Sequence, residues 1–150
     1  MATVFQQIAS AMVASLLAAP ALADGMVSKN RLRPLPAGKD AAIVVRFKST
    51  SGQEVSLGMT DWVSDYTVEC YGRAVAPADP SDAADNLLAA AWPRLAALDV
   101  VSLGAMAVVV NPQIDWEEVE ADTPMACAVF RVQVAHRTAL NSLAPIATSP

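Results

Sequence analysis

Polar and apolar residues alternate at two different periods along this chain, and the change of period marks its elements. Near the N-terminus Val4, Ile8, Met12 and Leu16 form an i, i+4 row. Thr3, Gln6, Gln7 and Ser10 recur at spacings of 3, 1 and 3, which is one face of a helix. This describes an amphipathic helix packed on a sheet, ended by Pro20, which lacks an N–H and clashes with the preceding turn. The same stretch has a second reading. Residues 1–23 are apolar and end in Ala21-Leu22-Ala23, resembling a signal peptide with a small-residue cleavage site, although no Lys or Arg precedes Lys29.

Residues 24–40 carry two Gly and two Pro and read as an ordered loop. Ala41 to Phe47 is β-branched and short and predicts a strand, with a turn over Ser49 to Gln53 and a return strand from Glu54 to Leu57. From Trp62 to Arg73 the period is 2. Tyr66, Val68 and Cys70 face one way; Asp65, Thr67, Glu69 and Tyr71 face the other, predicted wet, side. Asp79 is a good N-cap with Pro80 at the first helical position, and Ala84, Leu87, Leu88, Ala91 and Leu95 follow the helical template. Pro93 is expected to kink this helix or end it near Trp92. Val100 to Val110 predicts a strand after a turn, Ile114 to Asp122 is acidic, and Cys127 to His136 alternates again. From 138 to 150 an extended or flexible tail is expected. Strands in adjacent groups, not strict βαβ alternation, predict an α+β fold: a small mixed or antiparallel sheet with two main helices on one face, in a single domain over 1–150.

Composition changes this picture in two places. The chain is 54% hydrophobic with a mean hydropathy of +0.36. However, 30 of its 150 residues are Ala, and the longest apolar stretch, Ala11 to Ala23, is broken by Ser15 and Pro20 and is too short to span a bilayer. The net charge of −5 disfavours a binder that relies on phosphate neutralisation. It is also uneven: residues 1–75 sum to +1 (seven Lys/Arg, six Asp/Glu), and residues 76–150 to −6 (three Lys/Arg, nine Asp/Glu).

Candidate chemistry is sparse. Cys70 and Cys127 read as small buried hydrophobes, although one disulfide is possible. With one His, the chain lacks the four ligands of a structural zinc site. His136 stands in no recognisable nucleophile motif, no phosphate loop or HExxH appears, and no catalytic residue or cofactor is expected. The densest feature is Asp115-Trp116-Glu117-Glu118-Val119-Glu120-Ala121-Asp122, with five carboxylates in eight residues. Three readings stand: a cation site, which here lacks the Gly such loops use; a solvated hairpin loop; or an assembly surface anchored by Trp116. Arg31 and Arg33, in Lys29-Asn30-Arg31-Leu32-Arg33, are the candidate positive partners on a neighbouring subunit. The candidate interface is therefore Arg31, Arg33, Asp115, Trp116, Glu117, Glu118, Glu120 and Asp122.

In order along the chain, several segments resemble bacteriophage tail-terminator-like minor tail proteins of the lambda type. These are Asn30 to Pro36 after an Ala-rich helix; Val68 to Ala74 leading into Ala84 to Leu95; Ile114-Asp115-Trp116 with Glu120 to Pro124; and His136-Arg137-Thr138 with Asn141 to Ala144. The resemblance covers nearly the whole chain, with Pro93 as a departure. It implies a non-enzymatic structural protein that assembles as a ring, a hexamer, at the head-proximal end of the tail tube. Such a protein stops tube polymerisation and meets the head connector, with its first helix retained. Its partners would be itself, the tail-tube protein and the head-connector protein. DNA would pass without sequence-specific binding, and no membrane would be involved. The location implied is the virion tail, assembled in the host cytoplasm. The competing expectation is a small exported α+β protein with residues 1–23 cleaved and Cys70 bridged to Cys127.

Overall fold

A computed structural model describes residues 2–29, 39–74, 77–119 and 123–146. One mixed sheet of five strands has two helices packed on one face. The order along the chain is α1 (Val4–Leu17), β1 (Val27–Lys29), β2 (Ala41–Ser56), β3 (Met59–Arg73), α2 (Pro80–Ala96), β4 (Ala105–Val119) and β5 (Met125–Ala139). The sheet order is β1-β2-β3-β5-β4. Only β1 on β2 is parallel; the other three ladders are antiparallel.

The i, i+4 row of α1 is the reason it folds here. Val4, Ile8, Met12 and Leu16 are all fully buried, joined by Phe5 and Ala9. They sit on Ile43, Val45, Tyr66, Val68, Phe130, Val132 and Val134 of the sheet, together with Ala84, Leu88, Ala91 and Leu95 of α2. Helical and strand periodicities therefore meet in one core. Helix α1 stops at Leu17, ahead of Pro20. Its last carbonyls have no helical partner, and Arg94 of α2 supplies one. The guanidinium donates to the carbonyls of Ser15 (3.1 Å), Leu16 (3.2 Å), Ala18 (2.8 Å) and Pro20 (2.6 Å). At the other end, the Val4 amide donates to Leu143 O at 2.7 Å.

The N-cap reading of α2 holds, with Asp79 accepting from the Ser81 amide at 2.9 Å. The helix does not end near Trp92; it runs through Pro93 and continues to Ala96. Leu95 is fully buried beyond it and Arg94 is anchored on α1, so tertiary contacts hold the last turn despite the missing N–H.

Several boundaries differ from the sequence reading. The turn expected at Ser49–Gln53 is strand; β2 runs on to Ser56, and the chain reverses at Leu57-Gly58, where Gly58 has φ +83°. Strand β1 lies within the stretch expected to be loop, since three residues are too few to show a period. The expected wet face of β3 is only partly wet. Thr67 and Tyr71 are buried, and Tyr71 packs with Ala42, Val44, Met125 and Cys127 in a second apolar cluster on the helix-free face. The tail expected from residue 138 begins as the end of β5. It then turns at Asn141 (φ +62°) and packs back, with Leu140 N donating to Gly58 O at 2.7 Å.

Candidate assembly surfaces

Two candidates for chemistry lie in the core and are disposed of by their surroundings. His136 is fully buried beneath α1, its ring 5.5 Å from that of Phe5. Its Nε2 shares a 2.7 Å hydrogen bond with Ser64 Oγ, which in turn lies 2.8 Å from Thr50 Oγ1. Ser64 is fully buried too, and His136 Nδ1 has no partner. A Ser–His pair sealed in this way has no access to a substrate and no acid to orient it. Burial holds the His136 pKa below its ordinary 6.5, so the folded protein keeps the ring neutral. Below about pH 6.5 the unfolded chain takes up a proton that the native ring refuses, so stability is full above that pH and falls beneath it. Between about pH 7 and about pH 5.5 the melting temperature should drop, by at most ~1.4 kcal/mol of stability per pH unit from this group. His136→Gln should flatten that part of the profile; an unchanged slope would assign it to other groups.

The cysteines are both free and buried. In the β3–β5 ladder Cys127 stands opposite Tyr71, and Cys70 opposite Ala128. Adjacent register positions point to opposite faces. Cys70 accordingly lies in the main core and Cys127 in the cluster on the other face. The bridge of the exported-protein expectation is thus excluded by geometry. Burial, with smaller contributions from neighbouring groups, pushes both thiols up to about 12, where they are unreactive.

The surface features lie on β4 and on the helix-free face. Asp115 to Val119 belong to strand β4, an outermost strand, and not to a loop. Alternation splits the acidic run. Asp115 and Glu117 stand opposite Val129 and Cys127 on the helix-free face; Trp116 and Glu118 stand opposite Ala128 and Ala126 on the helix face. All four are exposed, Trp116 by 49%. No group of three or more His, Cys, Asp or Glu among the described residues is placed to hold a metal ion. Arg31, Arg33, Glu120 and Asp122 lie outside the described residues, so their part in an interface stays an expectation. Met106 and Val109 are each 53% exposed on the same strand. Pro112 and two register shifts interrupt it, devices that discourage indiscriminate edge pairing.

On the helix-free face Glu69 is held on both sides. Tyr71 donates to its Oε1 at 2.5 Å, and Arg46 Nε donates to its Oε2. Further along, Arg137 grips Asp61 with both arms of its fork (2.6 and 3.0 Å), and this hydrogen bonding lowers the Asp61 pKa. Sequence reading missed Lys48, Thr67 and Arg131, which gather on this face. Their spacings in sequence carry no signal, because only the strand order puts β2 and β5 on either side of β3.

No protein-family model matches the sequence, and no curated protein matches it. Solved structures do. A chain of the "Virion of native gene transfer agent (GTA) particle" overlays with a TM-score of 0.62 at 20% identity, covering 85% of this chain and 94% of that one. At that identity the likeness is one of fold. A chain of an extracellular contractile injection system, "PVC sheath/tube terminator in extended state", gives a TM-score of 0.41 at 12% identity, covering 97% of this chain and 61% of that one. An overlay that loose supports no argument about this chain.

Proposed function

We propose that this chain is a structural tail protein of the terminator type. It assembles as a ring of six copies on the head-proximal end of a tail tube, stops tube growth and presents a surface to the head connector. The observation that carries the reading is the shared fold with a gene-transfer-particle component over most of both chains. The motif order described above gives the terminator assignment. The site chemistry is compatible with it: the buried Ser64–His136 pair has no substrate access, and the conspicuous surface is an exposed, acidic, Trp-bearing edge strand. The protein is read as a non-enzyme without a cofactor. It resides in the virion tail after assembly in the host cytoplasm and lets DNA pass without reading its sequence.

The test is tube length. The purified chain is added to polymerising tail-tube subunits from the same genome, and the products are measured by electron microscopy. Capped tubes of restricted length, with ring density at one end, are the expected result. Tubes that grow without limit and carry no extra density would remove the terminator reading.

A further inference from the structure

The helix-free face carries a hollow of about 190 Å³ where β2, β3 and β5 meet, lined by Lys48, Ser49, Asp65, Thr67 and Arg131. The ladders explain its composition. Thr67 stands opposite Arg46 on one side and Arg131 on the other, and Ser49 stands opposite Asp65. Lys48 is the extra residue at the shift between Phe47 and Ser49, so it falls outside the ladder. Thr67 is only 6% exposed, yet its Oγ1 has no hydrogen-bond partner. A buried hydroxyl left unpaired is costly and marks a place where a partner is missing. Among the described residues Lys48 and Arg131 make no ion pair or hydrogen bond either. Asp65, the one carboxylate present, is already occupied, accepting from Gln133 Nε2 at 3.1 Å and Ser49 Oγ at 3.5 Å. What remains free is two cations and a hydroxyl, a donor set that fits an oxyanion.

The complementary groups are on the same chain. Asp115 and Glu117 are exposed on this face, on outermost β4, and among the described residues neither makes an ion pair or hydrogen bond. Asp115 stands opposite Val129, two residues from Arg131 along β5, yet the two do not pair. We infer that the Lys48–Thr67–Arg131 hollow receives a β4 carboxylate, Asp115 or Glu117, from a second copy of this chain. This rests on the ring reading and gives that ring an interface. The ring reading requires this contact between unlike patches to be heterologous, propagating from copy to copy until it closes. Nucleic-acid phosphate has the same oxyanion chemistry, but it would have to approach past exposed Asp115 and Glu117 on the same face.

The experiment mixes two charge-reversed full-length variants. One carries Lys48→Glu with Arg131→Glu; the other carries Asp115→Lys with Glu117→Lys. Circular dichroism confirms that each folds, and light scattering after size exclusion reads assembly, alone and on tail tubes. Each variant by itself should assemble at least roughly tenfold more weakly than the parent. An equimolar mixture should recover, because every contact in an alternating ring is then complementary. Carbodiimide coupling of isotopically mixed parent chains should give Lys48–Asp115 or Lys48–Glu117 peptides that join light to heavy chains. Rings that form equally well from either variant alone would overturn the pairing and leave the ring reading intact. Chains that stay monomeric with and without tubes would overturn both. Loss of DNA binding in the first variant with unchanged assembly would overturn the pairing in favour of phosphate.

Discussion

A version of this chain that begins at Asp24 will not fold. It lacks Val4, Phe5, Ile8, Ala9, Met12 and Leu16, six buried side chains that form the α1 layer of the core. Burying a large apolar side chain contributes about 1.5–3 kcal/mol, so the layer contributes on the order of 10 kcal/mol. The whole stability of a domain is only about 5–15 kcal/mol. The loss goes further than apolar area. Tyr66, whose hydroxyl donates to Phe5 O at 2.7 Å and whose pKa burial raises, loses its acceptor. His136 and Ser64 lose the helix that seals them. The truncated chain should show a flat near-ultraviolet circular dichroism spectrum and no cooperative melt, while the full chain shows both. A native spectrum from the truncated chain would mean that α1 is dispensable to the core.

The second large effect is expected at Gly72, where the third strand touches the second helix directly. A Cβ built there lies 2.5 Å from Ala84 N, 2.7 Å from Ala83 Cβ and 2.8 Å from the Ala83 carbonyl carbon. Two of those atoms are helix backbone, and Ala84 is fully buried, so the helix cannot yield locally. Gly72→Ala should cost about 2–3 kcal/mol and Gly72→Val more, read as the shift in urea midpoint. Gly52 is the control. Its added Cβ meets only the ring of half-buried Trp62, at 2.5 and 2.6 Å. A side chain can turn away, although here it must give up the 2.9 Å hydrogen bond to Thr138. Gly52→Ala should therefore cost less than Gly72→Ala; the reverse order would contradict the close helix–strand approach.

What the sequence made legible follows from where one face is dry and the other wet. The α1 row and the Tyr66–Val68–Cys70 face were readable because a sharp burial contrast leaves a period. β2 beyond Phe47 leaves none, since Ser51 to Ser56 is exposed on both faces, and its Ser and Gly then look like a turn. β4 hid its length for the same reason. Asp115 to Glu118 is charged or exposed on both sides, and five acids in a row of eight residues suggest a loop more readily than a strand. Tyr71 failed in the other direction: a polar-tipped aromatic at a nominally wet position is buried among residues from β2 and β5, far away in sequence. The basic hollow depended on strand order alone, which single-sequence periodicity does not encode.

The clamp of Arg94 on the end of α1 has a temporal side. The first helix leaves the ribosome early, yet nearly everything that holds it is made late. Its Phe5 carbonyl waits 61 residues for Tyr66, its Leu16 carbonyl 78 residues for Arg94, and its Val4 amide for Leu143. Its sheet floor includes Phe130, Val132 and Val134 on the last strand. Until then the nascent chain carries an uncovered apolar helix, a ready substrate for chaperones and membrane-targeting factors. That apolar helix is the surface that the unfinished protein shows during synthesis, and completion of β5 is the event that withdraws it.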